Sequence, residues 1–119
     1  MRLRDLVVKP DAVPTYEPPG HTGTVNRRVV PPPGLPMGKM EVVLGVLQPG
    51  GQALMHDHVD LDQAIYVLEG RCRVESGGES AEVGPEEIVY LPARLPHQVT
   101  ALGPKALRLL VIYAPPLHR

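Results

Sequence analysis

Apolar residues along this chain come in short blocks rather than helical stripes. No window of about 11 residues keeps an i, i+3, i+4, i+7 apolar face free of proline or glycine. Runs rich in β-branched and aliphatic residues recur instead, cut by turn-forming clusters. The pattern predicts strands over 5–9, 24–30, 40–47, 52–58, 63–68, 72–75, 80–83, 87–91, 97–102 and 106–113. The breaks between them read PPPGLPMG, QPGG, EG, SGGE, VGPEE, LPARLP and LGPK. Many short strands with evenly spaced turns predict an all-β sandwich or barrel.

Within this pattern, RCRVESGGESAEV reads as a hairpin. Gly77-Gly78 supplies the positive φ values of a tight turn. Cys72 and Val74 alternate with charged Arg71, Arg73 and Glu75, which predicts one buried and one wet face. Cys72 is expected to be a small core residue. Nothing basic is clustered beside it in sequence to activate the thiol. Residues 1–38 are patterned differently: they are rich in proline, and only Val25, Val29 and Val30 alternate with polar neighbours. This segment is expected to be an arm lying on the barrel or across a partner subunit. Residues 39–115 are expected to form the barrel itself, the whole chain being one domain.

The chain has 119 residues, 15 prolines, 12 glycines, one cysteine and a net charge of −1. One thiol makes no internal disulfide, which fits a reducing compartment. Lys and Arg are scattered, Arg27-Arg28 being their longest run, so a nucleic-acid partner is not expected. No apolar run reaches the roughly 18 residues of a membrane span, and the N-terminus lacks a signal-peptide core. A cytoplasmic location is the expectation. Few thermolabile amides and many prolines hint at a thermophilic source.

Candidate chemistry begins with His56 and His58. Alternate residues of a strand share a face, so these two imidazoles can grip one cation from one side. Gln63 follows a short turn, and strand parity puts Ile65 and Val67 on its face as an apolar lining. His97, after the proline-framed LPARLP turn, can complete the set from another strand. His21 and His118 read as ordinary solvent-facing or hydrogen-bonded histidines.

Two spacings resemble the motifs of the cupins. The first runs Gly50, five residues, His56-Asp57-His58, four residues, Gln63, six residues, Gly70. The second runs Gly84, seven residues, Pro92-Ala93-Arg94, two residues, His97, three residues, Ala101. The resemblance extends from about Met40 to Tyr113 through the strand pattern. It implies a double-stranded β-helix (jelly-roll) barrel, often dimeric, with a metal near one mouth. Three positions depart from the motifs. Gln63 stands where cupins usually have a glutamate ligand, Arg94 replaces a glycine, and Ala101 replaces an asparagine. A three-residue gap would instead make Asp62 the acidic ligand. The two have opposite parity, and the spacing to Gly70 favours Gln63.

The expected centre is therefore one divalent transition metal (Mn, Fe, Ni, Cu, Co or Zn) on His56, His58, Gln63 and His97. A neutral amide in place of a carboxylate keeps the full +2 charge of the site, which favours an anionic ligand. Arg94, Asn26 and Arg27, with Arg28 beside them, are candidate substrate contacts. Tyr66 is expected opposite Gln63, outside the pocket. No general base is evident. Two functions fit: a metal-dependent enzyme of oxygenase, isomerase or lyase type on a small anionic organic molecule, or a cupin that binds a small ligand without chemistry. A structural barrel with vestigial histidines is the third, weaker reading. A homodimer is the expected assembly.

Overall fold

The structure, a computed structural model, describes residues 1–118. Eight antiparallel strands form it: β1 (His21–Val30), β2 (Glu41–His56), β3 (Asp62–Glu69), β4 (Cys72–Ser76), β5 (Glu79–Val83), β6 (Ile88–Leu91), β7 (His97–Ala101) and β8 (Leu107–Ala114). Their order is β5-β4-β7-β2-β8-β3-β6, with β1 on the remaining edge of β2. The sheet curls into a nearly closed jelly-roll barrel.

β2 joins the two walls. Its first half, 41–47, pairs with β8, and its second half, 52–56, pairs with β7. The QPGG sequence does not end the strand, as its turn chemistry suggested. It is a bulge in which Gln48–Gly51 oppose Gly23 alone between the Thr22↔Gln52 and Thr24↔Leu47 pairs. The backbones approach closely there: a Cβ on Gly51 would lie 2.9 Å from the Gln48 carbonyl oxygen. Only glycine fits such a corner.

The predicted strand over 5–9 does not form. Leu3–Leu6 and Pro10–Ala12 are short 3-10 helices, and Leu6 and Val7 are exposed. Pro10 has no N–H to give a ladder, and no neighbouring strand is available to pair. Further along, Tyr16 bridges Asn26 on the outer edge of β1, and Val13 is buried.

The core follows from strand parity. Val43 and Leu47 of β2, Ile65 and Val67 of β3, and Leu107, Leu109 and Val111 of β8 meet Val99 of β7 and the buried Cys72 and Val74 of β4. Each such side chain contributes roughly 1.5–3 kcal/mol on burial. The β4–β5 hairpin turns at Gly77 and Gly78 with φ of 58° and 80°, as the sequence predicts. No helix of the described residues is long and apolar enough to cross a membrane.

Candidate metal centre

Three histidines converge at one end of the barrel. His56 is the last residue of β2 and faces His97, the first of β7, across the ladder. His58 lies just beyond β2, and the β6–β7 turn fixes its backbone: the Arg94 N–H donates to the His58 carbonyl at 2.6 Å. The ring centroids of His56 lie 4.9 Å from His58 and 4.4 Å from His97. One ligand nitrogen from each of the three rings lies within 4.8 Å of the other two.

A second β-bulge aims His56. Between Ala53 and His56 the register against β7 slips. Ala53 points into the core, so an unbroken strand would send Met55 inward and His56 outward. The bulge reverses that parity: Met55 is exposed and His56 turns to the cavity. β-Bulges re-aim side chains in this way next to functional sites.

The hydrogen bonds fix which nitrogens are free. Nδ1 of His56 lies 2.6 Å from the Leu54 carbonyl, and Nδ1 of His97 lies 2.9 Å from the Leu95 carbonyl. A carbonyl only accepts, so both Nδ1 atoms carry the proton and each Nε2 offers a lone pair. This is the usual outer support of a metal-binding imidazole. Burial lowers the pKa of His58, helped by the His56 and His97 rings and opposed by Asp57 and Asp60. Burial also lowers that of His97 against its bond to Leu95. Both rings are thus held in the neutral form that binds metal.

Gln63 is buried on the same cavity wall as His56 and His97. Its Oε1, with Nε2 of His58 and of His97, is a buried polar atom without a hydrogen-bond partner. Ile65 and Val67 share its inward face and Tyr66 takes the other, as parity predicts. Asp62 is exposed, and its Oδ1 accepts the Ala93 N–H at 2.9 Å. It therefore braces the turn that holds His58, while Gln63 faces the chamber. The donor set of three imidazoles and an amide oxygen fits a divalent transition metal.

The inner chamber is small, about 40 Å3, walled by Leu47, Ile65, Val99, Leu109 and Val111 around the polar groups. It opens to a mouth of about 280 Å3 rimmed by Tyr16 and Pro18, by Met55 and His58, and by Leu117 and His118. Asn26 is buried and lines both spaces. A Cβ on Gly45 would lie 2.8 Å from Asn26 Oδ1, so that glycine makes room for the amide. Arg94 is exposed on the turn, and Arg27 and Arg28 lie outside this lining.

One functional candidate escaped the sequence reading. His21 also lines both chamber and mouth. It opposes Ala53 across the β1–β2 ladder and so shares its inward face. Thr24 donates its hydroxyl to the Thr22 carbonyl at 3.1 Å, so the His21 Nδ1 contact at 3.2 Å makes Nδ1 the donor. Nε2 is left as an acceptor. Burial lowers the pKa of His21, with the His56 ring adding to the effect and Glu17 opposing it. The predicted strand began at 24, so His21 had no assigned face; only its pairing with Ala53 reveals the role.

A family model for the cupin domain matches residues 43–113, and the chain belongs to the cupin family. An uncharacterised protein of Methanocaldococcus jannaschii is 27% identical over 94 residues, 79% of this chain and 75% of its own. Among solved structures, the polyketide cyclase RemF of Streptomyces resistomycificus is similar with a TM-score of 0.78 and 26% identity, over 91% of this chain and 78% of that one. A predicted oxalate decarboxylase of Thermotoga maritima has a TM-score of 0.80 at 16% identity, over 91% of this chain and 97% of its own. At that identity the likeness speaks for the jelly-roll fold alone.

Proposed function

We propose that the chain holds one divalent transition metal on His56, His58, His97 and Gln63, and is an enzyme acting on a small anionic organic molecule. The observation that carries this is the set of buried, unpartnered polar atoms on Gln63, His58 and His97 that face one another at the chamber. Each unsatisfied buried polar atom costs roughly 1–3 kcal/mol. A cation facing all of them offsets that cost. The similarity to a polyketide cyclase supports the enzyme reading over a module that binds a small ligand without chemistry.

A bound metal supplies Lewis acidity toward a ligand oxygen. The chain's own residues do the rest. Gln63 donates without adding negative charge, so the site stays strongly attractive to a carboxylate, enolate or phenolate. The aliphatic walls exclude water and strengthen that attraction. His21 Nε2, at the junction of chamber and mouth, accepts a proton from a ligand entering there. Asn26 offers an amide to a ligand oxygen.

The deciding measurement is elemental analysis of purified protein. One metal per chain is expected, with near-complete loss in His56→Ala and His97→Ala. Gln63→Leu should also lose metal, yet its metal-free form should gain about 1–2 kcal/mol, because an unpaired buried amide is removed. Unchanged metal in Gln63→Leu with loss in Asp62→Ala would overturn the ligand set. Oxygen uptake and product analysis with β-diketones, catechols and flavonols then test the enzyme. A ligand that raises the melting temperature without being converted would instead favour a binding module.

A further inference from the structure

We propose that Tyr113 and His21 are the specificity-determining pair of this site, and that they select an apolar molecule whose head carries an ionised oxygen beside a hydroxyl. The inference rests on the metal-centre reading above and narrows its ligand. Tyr113 lies near the end of β8, opposite both Glu41 of β2 and Gln63 of β3. Side chains directly opposite on a ladder share a face, so its ring is directed inward beside Gln63. It lines both chamber and mouth. Its ring meets His58 edge-on, with 5.8 Å between centroids and 80° between planes.

The Tyr113 phenol has no partner of its own. Tyr16, the other phenol at the mouth, bonds to the Asn26 side chain. No described residue hydrogen-bonds the Tyr113 hydroxyl. A tyrosine packed into a protein usually finds a partner for its O–H. The space beside this one is the ligand space. A phenol, with an ordinary pKa of about 10, keeps its proton at neutral pH and is a donor there.

His21 supplies the complement. Its Nδ1 is committed to Thr24, and its Nε2 is an acceptor. It stands near His56 as Tyr113 stands beside His58, so the two flank the histidine cluster at different members. A donor at one member and an acceptor at another fit a ligand with neighbouring oxygens in different protonation states. The ionised oxygen takes the Tyr113 O–H, and the hydroxyl donates to His21 Nε2. An analogue without the hydroxyl leaves that lone pair unmatched and is discriminated against.

Volume and lining set the rest of the ligand. The chamber, about 40 Å3, holds only the head. The body must lie in the mouth of about 280 Å3, whose walls include Pro18, Pro19, Leu54, Met55 and Leu117. No Lys, Arg, Asp or Glu is among its lining residues. A phosphate or second carboxylate on the body would lose its water there without gaining a partner, so the body is uncharged and apolar.

Isothermal titration of the zinc-loaded protein tests this, with salicylate as the probe and benzoate and 2-methoxybenzoate as controls. Salicylate sets a hydroxyl beside a carboxylate, and both controls lack that hydroxyl hydrogen. The wild type should bind salicylate about tenfold or more tighter than either control. Tyr113→Phe should weaken salicylate and benzoate alike, by about tenfold each, because both present the oxyanion. His21→Leu should weaken salicylate to the level of benzoate and leave benzoate unchanged. Zinc per chain should stay at the wild-type value in both variants, with melting transitions that show them folded. If zinc binds normally but salicylate binds no tighter than benzoate, or either variant binds the probes as the wild type does, the pair is overturned and the metal centre stands. A chain that takes up no zinc overturns the metal-centre reading and this one with it.

Discussion

The backbone of Arg94 takes φ 71° in the turn that precedes His97, and its N–H holds the His58 carbonyl. Positive φ costs a residue that carries a Cβ about 1 kcal/mol relative to glycine, partly offset by glycine's larger unfolded freedom. Arg94→Gly should therefore raise stability by about 0.5 kcal/mol in urea titration without altering metal content. A drop in metal content would mean the side chain takes part in the site. Cys72 gives a second prediction at this scale. Burial pushes its thiol up to about 11 from an ordinary 9.0. The unfolded chain thus loses its proton first, and the stabilisation present below pH 9 is lost as pH rises toward 11, by about 3 kcal/mol. Cys72→Ala should remove that part of the alkaline slope in chemical denaturation. At this scale much was legible in the sequence. Gln63 and Cys72 lie in strands whose alternation is unbroken, so counting by two assigned their faces. His21 lay outside any predicted strand, and its face depends on a partner more than thirty residues away, Ala53.

Elements carry a different lesson, clearest in β2. Counting by two from His56 correctly puts His58 on the same side, but counting from Ala53 points His56 at solvent. The register slip between Ala53 and His56 reconciles them. Alternation cannot reveal a bulge, because bulges leave no apolar signature of their own. Deleting Met55 removes the extra residue, so His56 then follows Ala53 by two and keeps its place opposite His97, facing the chamber. The expected result is a β-rich circular dichroism spectrum with metal content close to that of the wild type. Loss of metal in that variant would show that the bulge sets more than the parity of His56. The same strand explains why QPGG was read as a break. Pro49 and the glycines do disrupt pairing with β1, but β2 carries on through them because it changes partners there, from β8 to β7.

At the scale of the molecule, the two walls were written differently in the sequence. EVVLGVL, QAIYVL and LRLLVIY are nearly continuous apolar runs, whereas RCRVES alternates. Continuous runs put apolar side chains on both faces of a strand, so the outer side of this wall is apolar as well, a distinction that locating the strands alone does not use. The chain ends are tied together just as specifically. Glu41, at the start of β2, is completely buried, and its two carboxylate oxygens accept from the His118 backbone N–H at 2.9 Å and contact His118 Nδ1 at 2.6 Å. Tyr16 packs edge-on against the same imidazole, 6.1 Å between centroids. The N-terminal segment and the C-terminal tail therefore meet beside the mouth of the chamber, with a buried carboxylate as their anchor. No local sequence feature pairs residues 41 and 118, so of the two readings of His118, solvent-facing or hydrogen-bonded, only the fold selects the second and names its partner. His118→Ala should leave Glu41 short of a partner and cost about 2–3 kcal/mol, toward the lower end for a broken buried pair because the imidazole is half exposed. Replacing Glu41 by Met in the same chain should recover most of that loss, since both members are then gone. If His118→Ala alone were neutral, another group would have to satisfy Glu41, and the tail would be free to leave the mouth at little cost.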